Sequence, residues 1–250
     1  MPDLEKWSSD ERSQTLTHIK RLEIIDCPKL TQLPHLPSIE ILDLKGCNEM
    51  LLMSVMAYTT ITELRINGFP EMISFPEGLL KNLTLLKFLD ITDCPKLKSL
   101  SKDVHDLPAI ESLWFWSCGE VESLMEGVRN LTSLKSFNIL SCDHLTSLPD
   151  EGFQHLNSLS YLDLTVCPEL AALPESLFNL TALKALVLYN LPKLASLSEE
   201  IGNLISLEEL KIVACPHVLS LPASLQKVTA LQYLRIESCP SLERRCGKEN

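Results

Sequence analysis

The chain has 250 residues, 45% of them apolar, and a formal net charge of −11 with a pI near 5.0. That is enough apolar residue for a large core, but the acidic balance argues against nucleic acid or anionic lipid as the main partner, because phosphate binding needs a basic surface. No apolar run approaches the roughly 18 residues of a membrane-spanning helix, and the opening MPDLEKWSSDERSQ lacks the apolar core of a signal peptide, so the chain reads as soluble and cytoplasmic.

The predicted elements all follow one template, clearest in LNSLSYLDLTVCPELAAL at 156–173. Its apolar residues Leu156, Leu159, Leu162, Leu164, Cys167, Leu170 and Leu173 are spaced by two or three, which fits neither a lone helix nor a lone strand. Leu162 and Leu164 belong on one side of a short strand and Tyr161, Asp163 and Thr165 on the other, after which the chain bends away and returns. The register residue of each copy is Leu22, Leu42, Leu64, Leu89, Leu113, Phe137, Leu162, Leu186, Leu210 and Leu234, at steps of 20 to 25. A leucine pattern at this period predicts an α/β solenoid of the leucine-rich-repeat type. The expected form is a right-handed superhelix with a parallel concave sheet of about ten short strands and irregular or 3₁₀ convex returns.

Taken in order, residues 1–15 read as the remnant of a truncated repeat: MPDLEKW aligns with FPEMISF at 69–75, which puts Met1 in the slot that cysteine fills elsewhere, and SSDERSQT at 8–15 reads as a polar convex loop. The first strand, around 20–25, is then expected to have an unpaired edge. Repeats over 16–82 are irregular, with LPHLP at 33–37 shortening one return and MLLMSVMAY at 50–58 able to form a helical turn or two. From 83 to 242 the repeats are regular. Proline follows the last ladder residue at Pro76, Pro149, Pro174 and Pro222, so a bend and at most a short helical or 3₁₀ turn should follow; Ser101, Met125 and Ser198 take its place in three copies. The charged tail at 243–250 is positioned to shield the end of the core.

Eight of the nine cysteines share one repeat slot: Cys27, Cys47, Cys94, Cys118, Cys142, Cys167, Cys215 and Cys239, with Phe69 and Leu191 in the two other copies. A slot that accepts Cys, Phe or Leu is a packing position, and paired C-x-x-C metal spacing is missing, so neither a disulfide framework nor a metal is expected. Cys246, beside Arg244 and Arg245, stands outside the ladder. The sequons at Asn82, Asn130 and Asn179 fall at one repeat position, as part of an N-L-T consensus, and are expected to be unmodified.

Function should sit on the outward strand positions, which follow no consensus. Phe88, Trp114, Trp116, Leu140, Tyr161, Val187 and Tyr189 gather on five successive coils as candidate anchors for a protein partner, rimmed by Arg65, Lys211 and Arg235 with Asp43, Asp90 and Asp163. The alternative is that these aromatic side chains cover each other or an adjoining domain. Histidines 18, 35, 105, 144, 155 and 217 lie outside these columns, so no catalytic cluster assembles, and neither enzyme activity nor a cofactor is expected.

The unit LTSLKSFNILSCDHLTSLPDEGFQHL at 131–156, its sisters at 83–100 and 156–180, and the ending CPSLERRC at 239–246 resemble the repeat region of plant intracellular coiled-coil nucleotide-binding leucine-rich-repeat disease resistance proteins. The resemblance covers essentially the whole chain. It implies a module that senses a pathogen effector or a guarded host protein and restrains a nucleotide-binding switch domain; no G-x-x-x-x-G-K-[ST] phosphate loop occurs here, so nucleotide binding is not carried over. The competing expectation is a substrate-receptor repeat scaffold of an intracellular ubiquitin ligase.

Overall fold

The computed structural model describes residues 5–7, 16–98, 107–119 and 128–242. Within them every register residue lies second in a five-residue strand: β1 (Arg21–Ile25), β2 (Ile41–Lys45), β3 (Glu63–Asn67), β4 (Phe88–Thr92), β5 (Ser112–Trp116), β6 (Ser136–Leu140), β7 (Tyr161–Thr165), β8 (Ala185–Tyr189), β9 (Glu209–Val213) and β10 (Tyr233–Glu237). The strands pair in parallel and in sequence order as one open sheet, with each register residue opposite the next. Strand alternation sends the second and fourth residues into the core, and from Leu42 to Ile212 these two columns are buried on every strand.

The sheet ladder continues past both strand ends. Before each strand, one carbonyl accepts two N–H groups from the next coil, as when Lys135 O takes Ser160 N at 2.8 Å and Tyr161 N at 3.0 Å. After each strand the residue at the bend adopts positive φ, and after β1 to β9 it donates its N–H to the following coil, as Val166 N does to Tyr189 O at 2.8 Å. Asp26, Gly46, Gly68, Asp93, Ser117, Ser141, Val166, Asn190, Ala214 and Ser238 fill this column with φ between 51° and 72°. So varied a set shows that the place in the coil, and not residue preference, sets the left-handed turn.

The cysteine slot is a packing slot. Cys27, Cys94, Cys118, Cys142, Cys167, Cys215 and Cys239 are buried, Cys47 is half-buried, and all eight are free thiols. Each donates to the carbonyl two residues earlier, and several also reach a carbonyl of the previous coil, so the slot satisfies strand-end acceptors while filling the core. Burial pushes the thiols of Cys94 and Cys142 up to about 12 and those of Cys167 and Cys215 up to about 11.

The returns are short, as the prolines require. Helix α1 (Leu51–Val55) occupies the apolar return after β2 and buries Leu51, Leu52 and Val55. A 3₁₀ turn follows Pro149, Pro174 and Pro222, at Asp150–Gly152, Glu175–Asn179 and Ala223–Lys227. Where Ser198 replaces proline, its hydroxyl accepts Glu200 N–H and caps Glu199–Asn203. Carboxylates then link one turn to the next: Asp150 Oδ1 accepts Ser176 N–H at 3.1 Å, and Glu199 accepts Ala223 N–H and Ser224 N–H at 3.1 and 2.9 Å. Asn82, in its sequon, donates Nδ2–H to Met56 O at 3.1 Å, which gives that asparagine a structural use.

In residues 5–7, Glu5 O accepts Thr31 N–H at 3.1 Å, as Ile73 O accepts Lys98 N–H at 2.8 Å at the equivalent repeat position. The start at 1–4, the loop at 8–15, Ser101, His105 and Met125, and the tail with Cys246 lie outside the described residues.

Candidate functional site

Odd-numbered positions of each strand form the open face of the sheet, and the register fixes their neighbours. Across β4 to β8 the rows run Phe88, Ser112, Ser136, Tyr161, Ala185, then Asp90, Trp114, Asn138, Asp163, Val187, then Thr92, Trp116, Leu140, Thr165, Tyr189. The seven candidate apolar residues thus share one surface, with Arg65 on the neighbouring β3, Lys211 on β9 and Arg235 on the edge strand β10.

The seven are not equivalent. Trp116 and Tyr189 stand 50% and 45% exposed at the ends of their strands. Leu140, Phe88, Tyr161 and Trp114 are half-buried. Val187 is only 7% exposed; short and branched, it lies between Asp163 and Lys211 in its row and forms floor with Asn138, Ala185 and Val213. Phe88 and Trp114 cover each other edge to face, centroids 5.9 Å apart at 61°, while Arg65 lies 4.9 Å over the other side of Phe88. Trp114 Nε1–H also donates to Ser112 Oγ at 3.0 Å. Trp114 is therefore a packed residue of the face, and Trp116 is the more exposed of the tryptophan pair. Removing Trp114 would cost the stack about 0.5–1.5 kcal/mol beyond its buried area, so an alanine there tests packing as well as recognition.

The rim cations are committed within their own strands. Arg65 Nη2 pairs with Glu63 at 2.8 Å, Lys211 pairs with Glu209, and Arg235 pairs with Glu237. Lys211 also lies 5.7 Å over the Tyr233 ring. Asp90 and Asp163 have hydroxyls instead: Thr92 Oγ1 donates to Asp90 at 2.8 Å, and Thr165 Oγ1 and Tyr161 Oη donate to Asp163 at 2.5 and 3.2 Å. Burial raises both carboxyls above the usual aspartate range, only partly opposed by these hydroxyls, by Arg65 beside Asp90 in the row and by Lys211 near Asp163. Asp43 on β2 is raised for the same first reason.

Two features escaped sequence reading. The residue before the strand is charged in most coils, and opposite charges pair across successive coils as Lys20–Glu40 at 2.7 Å, Glu111–Lys135 at 2.9 Å and Lys184–Glu208 at 3.0 Å. Opposite charges one repeat apart were its legible signal. Past the end of β5, Pro95, Ser117, Gly119, Asp143 and His144 line an open groove of about 250 Å³, and a Cβ on Gly119 would sit 2.1 Å from Pro95 O. Among the described residues no group of three or more His, Cys, Asp and Glu is placed to hold a metal ion, and no helix is long and apolar enough to cross a membrane.

Residues 150–243 match the family model described as Zer-1-like, Leucine-rich repeats. A comparison with curated protein sequences gave no match. Among solved structures, the leucine-rich repeat domain of the type III effector XopL is similar with a TM-score of 0.64 and 24% identity, over 76% of this chain and 73% of that one. The plant peptide hormone receptor RGFR1, solved in complex with RGF2, is similar with a TM-score of 0.55 and 16% identity, over 94% of this chain and 45% of the receptor. Toll from Drosophila, in its complex with Spatzle, is similar with a TM-score of 0.64 and 20% identity, over 84% of this chain and 33% of the matched one. The chain folds as a leucine-rich-repeat domain.

Proposed function

We propose that this domain is a protein-recognition module whose contact surface is the open face of β4–β8. The observation that carries the reading is the pair Trp116 and Tyr189, two large apolar side chains left about half exposed on β4–β8, where the other apolar residues of the face are half-buried or buried. Exposed aromatic residues set among polar neighbours are the usual anchors of protein interfaces. Of the similar structures, one is a peptide hormone receptor in complex with RGF2 and another is the Toll–Spatzle complex, which supports the class of function by analogy.

The resemblance of 131–156 and 239–246 to plant intracellular resistance proteins directs the reading further: a module of innate immunity that senses a pathogen effector or guarded host protein and restrains a nucleotide-binding switch. Replacing Trp116 and Tyr189 together with alanine should leave the melting temperature nearly unchanged. Placed in a receptor that carries the switch, the pair should abolish effector-triggered cell death or release constitutive signalling. Unchanged signalling together with unchanged partner binding would refute the assignment of this face. The Zer-1-like match over 150–243 favours one second reading, a substrate-receptor scaffold of an intracellular ubiquitin ligase, which co-purification with ligase subunits would support.

A further inference from the structure

The charge of the open face differs from strand to strand, and β2 bears Asp43 and Lys45. On β1, β3, β9 and β10 every glutamate is paired with an arginine or lysine two residues away on the same strand. On β4–β8, three outward positions per strand, Asp90 and Asp163 are the sole charged residues, and neither has a salt bridge among the described residues. Among the cations around this strip, Arg65, beside Asp90 in the middle row, is held by Glu63 and lies over Phe88, Lys211 is held by Glu209 and lies over Tyr233, and at the strand starts Lys135 pairs with Glu111 and Lys184 with Glu208. The hydroxyls of Thr92, Thr165 and Tyr161 fix the two carboxylates in place without neutralising them. Such a strip, apolar and hydroxyl-rich with two oriented negative charges, complements a ligand bearing positive charge.

Resting on the recognition reading above, we infer that the open face of β4–β8 takes an extended polypeptide segment carrying two basic side chains on either side of a large apolar one. Asp90 and Asp163 lie three strands apart in the middle row. At a strand spacing of about 4.8 Å that is about 14 Å, the reach of roughly four extended residues crossing the strands. One basic group pairs with Asp90, the other with Asp163, and the apolar residue between them packs against Trp116 and Leu140. Desolvation of both carboxyls, already evident in the free domain, lowers the cost of closing the contact.

The test is a selection of random linear peptides displayed on phage against the whole domain, followed by binding to variants. The expected peptides carry Lys or Arg about four residues apart with an apolar residue between. Their affinity should fall about tenfold or more in Asp163→Asn, fall likewise in Asp90→Asn, and be lost in Trp116→Ala. Asparagine keeps the shape of the aspartate, and an unchanged melting temperature will separate lost charge from lost fold. Peptides that lose binding in Trp116→Ala, lack basic residues and ignore both aspartate variants would overturn this inference while leaving the face as the recognition surface. Peptides indifferent to all three variants, or a selection that yields none above a blank surface, would overturn both.

Discussion

Val166 is a β-branched residue at φ 55°, in a column where sister coils place Gly46, Gly68 and Asn190. The left-handed conformation costs an ordinary L residue about 1–2 kcal/mol, and the cross-coil bond from Val166 N to Tyr189 O holds it there. Val166→Asn should therefore stabilise the domain by about 1 kcal/mol in urea unfolding; an unchanged or lowered midpoint would show that the turn is not strained. The cysteines make a second case at this scale. Buried thiols held up to about 11 or 12 have almost no thiolate at neutral pH, so iodoacetamide should leave Cys94, Cys142, Cys167 and Cys215 unmodified in the native domain and label them on unfolding. Half-buried Cys47 should react before them, and mass spectrometry of the digest reads the order. The packing role of this slot was legible because Phe69 and Leu191 share it. The left-handed turn one residue earlier was not, because its place in the coil sets it and aspartate, serine, valine and alanine all adopt it.

At the scale of the element, one column of leucines contributes unequally along its length. Leu162 has strands on both sides and no exposure, whereas Leu234, on the edge strand β10, is 42% exposed. Leu162→Ala should cost about 2–5 kcal/mol, and Leu234→Ala should cost much less, because little of its side chain leaves water on folding. Equal losses in denaturant titrations would mean that the end of the sheet is covered more fully than its exposure indicates. All ten strands could be placed from the sequence because each coil must send the same two residues inward to bury its edge against its neighbours. What the strand pattern could not give is the height of each outward side chain. Val187 and Tyr189 are both outward on β8, yet one is floor and the other a projection, a difference set by their cross-strand neighbours. The Arg65, Phe88 and Trp114 stack has the same origin, since three separate coils must be in register before those side chains meet.

Across the whole molecule, repetition fixes the core and leaves the open face free to vary, and that freedom is where specificity can reside. Of the candidate residues, Trp116 and Tyr189 have the exposure of contact residues, whereas Arg65, Lys211 and Arg235 are held by glutamates of their own strands. Other exposed apolar side chains, Met50, Met53 and Ile205, lie outside the sheet and supply a built-in comparison. The most direct measurement is hydroxyl-radical footprinting of the domain with and without a bound protein partner or selected peptide. Oxidation of Trp116 and Tyr189 should fall on binding while Met50 and Met53 keep their rates; protection of the methionines with Trp116 and Tyr189 unchanged would contradict recognition through the open face.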